Sequence, residues 1–375
     1  MNDEGAKKSE SALHVVPGVT RRERVIKLAK KRPVLSVEEY AAGVLDGNRA
    51  VLGRALTLME SANPAHRQKA EDLLEKLRPH SGGSIRLGIS GIPGVGKSTF
   101  IEALGMLLVN KGHRVAVLAI DPSSEVSGGS IMGDKTRMEQ LARSPRALVR
   151  PSAGGGWLGG VARGTREQIL VCEAAGFDVV IVETIGVGQS ETQVSSMVDF
   201  FLLLMVAGAG DELQGIKRGI IEMADGMAVN KADGDNIANA QVARAQYDGA
   251  LRLLRPVTEG WHPRVLTCSA ATGDGIDQIW KMVLDHHALL EDSGQLAEKR
   301  RRQTWFWMKQ AIEYFLVERF YTHPDVAAKL PETKERVLAG EVSPFVAAER
   351  LVALATGAGE TLPVTDASER EKQRG

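Results

Sequence analysis

The chain has 375 residues, 43% hydrophobic and 25% charged, and its 47 basic side chains balance 47 acidic ones. Zero net charge supplies no global pull toward nucleic acid or an anionic membrane, and two cysteines exclude a disulfide scaffold or a paired-cysteine metal site. The longest apolar run, 200–209, is about half a membrane-spanning helix, and the acidic N-terminus has no apolar h-region, so a cytoplasmic protein without a membrane partner is expected.

Residues 1–34 open polar and aperiodic, and 21–32 carries seven basic residues against one acidic: a disordered segment or a basic arm. Ser36, with Glu39 three residues on, fits a capping box. Val44, Leu52, Leu56 and Met59 then recur at helical spacing, and Leu73, Leu74 and Leu77 mark a second amphipathic helix. This N-terminal helical segment, 35–80, ends at Ser81-Gly82-Gly83. From 81 to 295, short apolar runs alternate with helical stretches. The predicted strands are 85–90, 115–120, 179–182, 201–206, 226–229 and 265–268, the pattern of an α/β domain with a largely parallel sheet. A C-terminal helical segment, 296–357, comes next. Trp305, Met308, Ile312 and Phe315 form one stripe of a long helix, and Ser343-Pro344 starts another, before a polar tail at 358–375.

Residues 91–98, Gly-Ile-Pro-Gly-Val-Gly-Lys-Ser, match G-x-x-x-x-G-K-[ST] between a predicted strand and a helix over 97–110. The glycines allow backbone N–H groups to turn inward and cradle phosphate oxygens, and the helix N-terminus adds its positive dipole end. Gly91, Ile92, Pro93, Gly94, Val95, Gly96, Lys97, Ser98 and Thr99 are thus candidate nucleotide contacts. Lys97 reaches the β and γ phosphates and Ser98 ligates Mg²⁺.

The base is read farther along. Asn230-Lys231-Ala232-Asp233 follows a late strand, and the Asp233 carboxylate can accept from guanine N1–H and the 2-amino group, which adenine cannot offer. Ser269 and Ala270, after the last strand, match a loop that backs guanine. GTP or GDP is therefore the expected nucleotide. Asp121 and Glu183 end the second and third predicted strands, at the sheet edge where ligands sit in open α/β folds. With Asp134 in a glycine-rich stretch, these hard carboxylates suit Mg²⁺ beside a triphosphate. Val187, not Gln, follows Gly186, so slow hydrolysis awaiting a partner is expected, and 211–218, behind the small-residue hinge 208–210, is the candidate responsive loop.

Taken together, 91–99, 121–124, 128–138, 183–191, 211–225 and the Asn-Lys-x-Asp element resemble the MeaB-type P-loop GTPases, whose switch carries Glu where other GTPases have Asp; Glu183 occupies that place. The resemblance spans roughly 35–355. It implies a P-loop GTPase core between the two helical segments, and a homodimeric chaperone that gates cofactor loading and protects or reactivates an adenosylcobalamin-dependent acyl-CoA mutase, chiefly methylmalonyl-CoA mutase. It also implies Mg²⁺ contacts through Ser98, Asp121, Asp134 and Glu183, and dimerising C-terminal helices. Lys97 and Glu183 join Lys217 in hydrolysis, with Lys217 central to partner stimulation. No tightly bound cobalamin on this chain and no nucleic-acid partner are expected. The 205–209 stretch departs from the Pro-containing form expected in some relatives. Two other readings are a nickel-insertion GTPase, against which Cys172 and Cys268 lack Cys or His neighbours, and a P-loop metabolite kinase, against which Asp233 disfavours ATP.

Overall fold

The structure, a computed structural model, describes residues 33–61, 63–120, 138–151, 158–184, 190–208, 218–254 and 256–357. The chain divides into residues 1–36 and Val37–Gly375, and every strand and helix among the described residues belongs to the second unit. At its centre is a seven-stranded sheet in the order β3-β2-β4-β1-β5-β6-β7, every neighbouring pair parallel. The strands are β1 Ile85–Gly91, β2 Val115–Ile120, β3 Ala147–Arg150, β4 Val179–Thr184, β5 Phe200–Val206, β6 Gly226–Asn230 and β7 Arg264–Thr267. The sequence predicts six of these. The seventh, β3, is only four residues long, ends in Arg150 and lies at the sheet edge, so it lacks the continuous apolar run that marks a strand buried on both faces.

Three helices precede the sheet: α1 Val37–Leu45, α2 Arg49–Met59 and α3 Pro64–Leu77. The periodicity that reads as one helix across Val44 to Met59 is interrupted, because Gly47 takes a left-handed conformation (φ +69°) and the Asn48 side chain accepts from the N–H groups of Ala50 and Val51, capping a new helix. The P-loop helix α4 spans Lys97–Asn110, as expected. It is followed by α5 Glu139–Arg143, α6 Leu158–Ala174, α7 Ser190–Ser195, α8 Arg218–Glu222, α9 Ile237–Leu251, α10 Ile276–Asp292, α11 Gln295–Thr322, α12 Pro324–Leu338 and α13 Pro344–Thr356.

Strand alternation sorts side chains to two faces. Leu87 and Ile89 of β1 and Val179 and Ile181 of β4 join Phe100 and Leu104 of α4 and Trp280 of α10 in one buried cluster. On the opposite face lies Gly88, where an added Cβ would strike Val194 of α7 at 2.8 Å and Val198 at 2.9 Å, so the glycine lets α7 lie close against the sheet.

The long helix α11 is two-sided. Its inner side grips the amino edge of the sheet: Lys299 Nζ bonds the Asp199 carbonyl and reaches the Asp225 carboxylate, and Arg300 pairs bidentately with the Asp199 carboxylate. Farther along, Gln303 donates to the Val198 carbonyl at 2.8 Å and Trp307 Nε1 to that of Ser196 at 2.9 Å. The outer side exposes Trp305, Met308 and Ile312, continued by Leu316. Phe315 departs from the expected stripe, since its ring lies under the guanidinium groups of Arg67 and Arg163.

Burial opposes ionisation of Asp199 and Asp225, but their hydrogen-bonding and charged partners outweigh it. Arg300 and Arg86 hold Asp199 below the ordinary carboxylate range, and Lys299 with His286 does the same for Asp225. A carboxyl whose folded pKa is depressed stabilises the fold fully above its unfolded value, near ~4, and loses that contribution as pH falls through the folded value. Denaturant midpoints are therefore expected to be level from neutral pH down to about 5 and to drop below about 4. A midpoint that stayed level to pH 3 would show that these pairs do not set acid stability.

Candidate nucleotide-binding and hydrolysis site

Strand β1 delivers the chain to the phosphate loop through a close approach: a Cβ on Gly91 would lie 2.5 Å from the Leu204 carbonyl oxygen of β5. Gly94 and Gly96 then take left-handed conformations (φ +79° and +92°), and Gly96 leads directly into α4. Val95, fully buried, fixes the loop to the core. Lys97 folds back so that Nζ donates to the Gly91 carbonyl at 2.7 Å and the Ile92 carbonyl at 3.4 Å. Burial lowers its pKa, opposed by the fields of Glu183 and Glu191. Ser98 and Thr99 occupy the first turn of the same helix.

Asn230, the last residue of β6, ties this loop to the base-reading segments. Its amide donates to the Val95 carbonyl at 2.9 Å and accepts from the Ala270 N–H at 3.0 Å and the Cys268 thiol at 3.6 Å. A side chain on Gly96 would press on that amide, 2.9 Å from Nδ2. Lys231 follows in the left-handed region (φ +60°), uncommon for a residue with a Cβ, and the Asn236 amide donates to its carbonyl at 2.7 Å. The Ala232 N–H donates to the Cys268 carbonyl at 2.9 Å. Asp233 accepts a short hydrogen bond from the Ser269 hydroxyl, which in turn accepts from the Thr272 N–H at 3.2 Å. The predicted guanine residues thus meet in one hydrogen-bonded corner, with a carboxylate held by one hydroxyl and able to accept further donors.

Glu183 stands on the face that Val179 and Ile181 share with α4, at the carboxyl end of β4, and is buried. Asp121, Asp134, Gly186 and Lys217 lie outside the described residues. Glu191, in the first turn of α7, is a buried carboxylate that acts on Lys97; it closes the 183–191 stretch but receives no site role from the sequence. The signal that could have found it is that it is the second acid of that stretch, eight residues after Glu183. Both cysteines are buried thiols; burial pushes Cys268 up to about 12 and Cys172 higher still, so neither is a thiolate at neutral pH. Among the described residues no helix is long and apolar enough to cross a membrane.

The Lys97 cation and the glycine turns of 91–96 thus lie at one end of the candidate site, and the Asp233 carboxylate at the other, joined through Asn230. The family profile described as "Methylmalonyl Co-A mutase-associated GTPase MeaB" matches residues 52–325. The chain belongs to the MeaB family of GTPases. A probable GTPase of Mycobacterium tuberculosis is 49% identical over 85% of this chain and 95% of its own length. The Escherichia coli "GTPase ArgK" is 49% identical over 80% of this chain and 90% of its own. The Mus musculus protein "Methylmalonic aciduria type A homolog, mitochondrial" is 45% identical over 84% and 79% respectively. The crystal structure of an "LAO/AO transport system kinase" superposes with a TM-score of 0.68 at 39% identity, covering 86% of this chain and all of that one. The MeaB-family chain is therefore a GTP-hydrolysing enzyme on a P-loop GTPase fold.

Asp233→Asn should move preference from GTP toward xanthosine triphosphate, because the amide can donate to the base's additional carbonyl. Sites built on such bonds discriminate by up to ~10⁴-fold. Competition titration checks this, and undiminished GTP preference in the variant would remove Asp233 from base recognition.

Proposed function

We propose that this GTPase is a chaperone of an adenosylcobalamin-dependent acyl-CoA mutase, most simply methylmalonyl-CoA mutase, gating cofactor loading and protecting or reactivating the loaded enzyme in the cytoplasm. The observation that carries the reading is the buried carboxylate of Glu183, at the end of β4 and acting on Lys97, in a chain matched by the mutase-associated family. Lys97 and the loop 91–99 hold the phosphates, and Asn230, Lys231, Asp233, Ser269 and Ala270 hold guanine. The hydroxyl of Ser98 and the carboxylate of Glu183 are hard oxygen donors of the kind Mg²⁺ takes; with Asp121 and Asp134 they would hold the ion, which when bound neutralises charge on the phosphoryl oxygens. The stripe Trp305, Met308, Ile312 and Leu316, exposed along one side of α11, is the apolar face on which two chains would associate as a homodimer. Domain limits near 35, 81, 296 and 358 complete this organisation.

Hydrolysis is proposed to wait on the partner. No Gln follows Gly186, and Lys217 supplies the extra cation when the mutase binds. Single-turnover GTP hydrolysis should rise about tenfold or more with the mutase, since catalytic cations at this position are worth ~10³–10⁵. Lys217→Ala should keep basal hydrolysis and GTP affinity while losing most of that rise. Full stimulation in the variant removes Lys217 from the mechanism, and no stimulation of the parent removes the partner. The second reading, a kinase, is favoured only by the name that the superposed relative carries. Incubation with ATP, GTP and candidate small molecules decides it, a phosphorylated product supporting the kinase.

A further inference from the structure

The backbone ladder between β1 and β4 pairs Ile85 with Val179 and ends at Ile89 with Glu183. One residue farther, the two strands are joined by side chains instead: the Ser90 and Thr184 hydroxyls lie 2.9 Å apart, both buried. This side-chain rung follows the last backbone rung, where the chain leaves the sheet toward the nucleotide. Each partner adjoins a residue already placed in the site. Ser90 precedes Gly91, whose carbonyl receives Lys97 Nζ, and Thr184 follows Glu183.

The rung lies on the face covered by α7. Gly88, two residues before Ser90, is overlain by Val194 and Val198, and Glu191 sits one helical turn before Val194, toward the carboxyl edge, itself buried. The preceding β4 residues on this face are Val180 and Val182, so valine at 184 would continue the apolar pattern with nearly the shape of threonine. Burying two hydroxyls instead brings little stability, since a satisfied pair contributes only about 1 kcal/mol net. What it adds is a fixed lateral distance between β1, which leads into the phosphate loop, and the end of β4, which carries Glu183.

We infer that the Ser90–Thr184 hydroxyl pair is a positioning latch for GTP hydrolysis, holding the Glu183 end of β4 in register with the phosphate loop. Thr184 keeps its backbone pairing with Ile120 of β2, so without the hydroxyl bond the end of β4 stays in the sheet while its separation from β1 is set less closely, and small displacements of reacting groups cost up to ~10²-fold in rate. Ground-state binding of GDP uses the loop and the guanine corner, and the rung supplies no atom to either: the loop's described bonds are those of Lys97 and Asn230.

The test uses the full chain with magnesium and compares Thr184→Val, Thr184→Ser, Ser90→Ala and the Thr184→Val/Ser90→Ala double variant. Three readouts are taken: single-turnover GTP hydrolysis, GDP affinity and thermal midpoint. Thr184→Val should slow hydrolysis about tenfold with GDP affinity within about twofold of the parent, whereas Thr184→Ser, which keeps the hydroxyl, should stay near the parental rate. Ser90→Ala should match Thr184→Val, and the double variant should lose no more than either single one, because both remove the same bond. Parental hydrolysis in Thr184→Val, an equal loss in Thr184→Ser, or losses that multiply in the double variant would each overturn the inference. If Thr184→Val fails to fold, Ser90→Ala decides alone: a slower rate at unchanged GDP affinity supports the latch, and a parental rate overturns it.

Discussion

Replacing Lys97 by alanine should cost about 30- to several-thousand-fold in GTP affinity while leaving the fold intact, the range expected when one member of a desolvated charge pair is truncated, about 2–5 kcal/mol. Lys97 makes its hydrogen bonds to the Gly91 and Ile92 carbonyls within its own loop; it supports no distant element. Its removal therefore leaves β1 and α4 held by the buried cluster around Phe100, Ile101 and Leu104. The carboxylates of Glu183 and Glu191 would then lose the cation on which both act, and an incoming triphosphate would meet their field with less to offset it. Fluorescent-nucleotide titration with a parallel thermal melt separates the two effects. Parental GTP affinity in a folded variant would show that the loop does not hold the phosphates.

The second large effect is on stability. Arg300→Met should destabilise the protein by about 3–5 kcal/mol, because it leaves the fully buried Asp199 carboxylate without its bidentate partner. Arg300 also donates to the Ser84 carbonyl at 2.7 Å and to the Gly82 carbonyl, so those acceptors lose a donor in the same step. The thermal midpoint should fall on the order of 10 °C. Adding Asp199→Asn should recover part of the loss, since the neutral amide no longer has to be buried as an ion. If Arg300→Met melts within a degree or two of the parent, the α11 contact is not a determinant of the fold.

Much of the candidate site is legible in the sequence because the chemistry it proposes is local. A phosphate loop needs its glycines and lysine within a few residues, and the guanine segment needs its carboxylate just past a strand. The strands β2, β4, β5 and β6 were legible for a related reason, since burial on both faces makes them largely continuous apolar runs, and β1 by the alternation of Ile85, Leu87 and Ile89 just before the phosphate loop. What could not be read was whatever depends on residues far apart in sequence. β3 exists because β2 accepts it at the edge. Phe315 turns inward because Arg67 and Arg163, from two other helices, offer cations to its ring. Ser90 and Thr184 are ordinary strand-end residues until the parallel register sets them side by side, 94 positions apart.

The charges at the foot of the sheet bear on how the chain is made. Asp199 and Asp225 emerge during synthesis well before Lys299 and Arg300, which come from the far side of the nucleotide-binding region. Until Lys299 and Arg300 arrive, the sheet can close only by burying Asp199 with Arg86 but without its bidentate guanidinium, and Asp225 without its lysine, and each is costly. The strands of the GTPase region are complete at Thr267, yet the region's stable form waits for the start of α11. A ribosome-bound chain ending near residue 295 should therefore remain protease-sensitive, and resistance should appear only when the helix that carries the outer apolar stripe has begun to leave the tunnel. The inner side of α11, which completes the core, thus acts before the outer stripe proposed for association is fully made, so that stripe is exposed only by chains that have already folded.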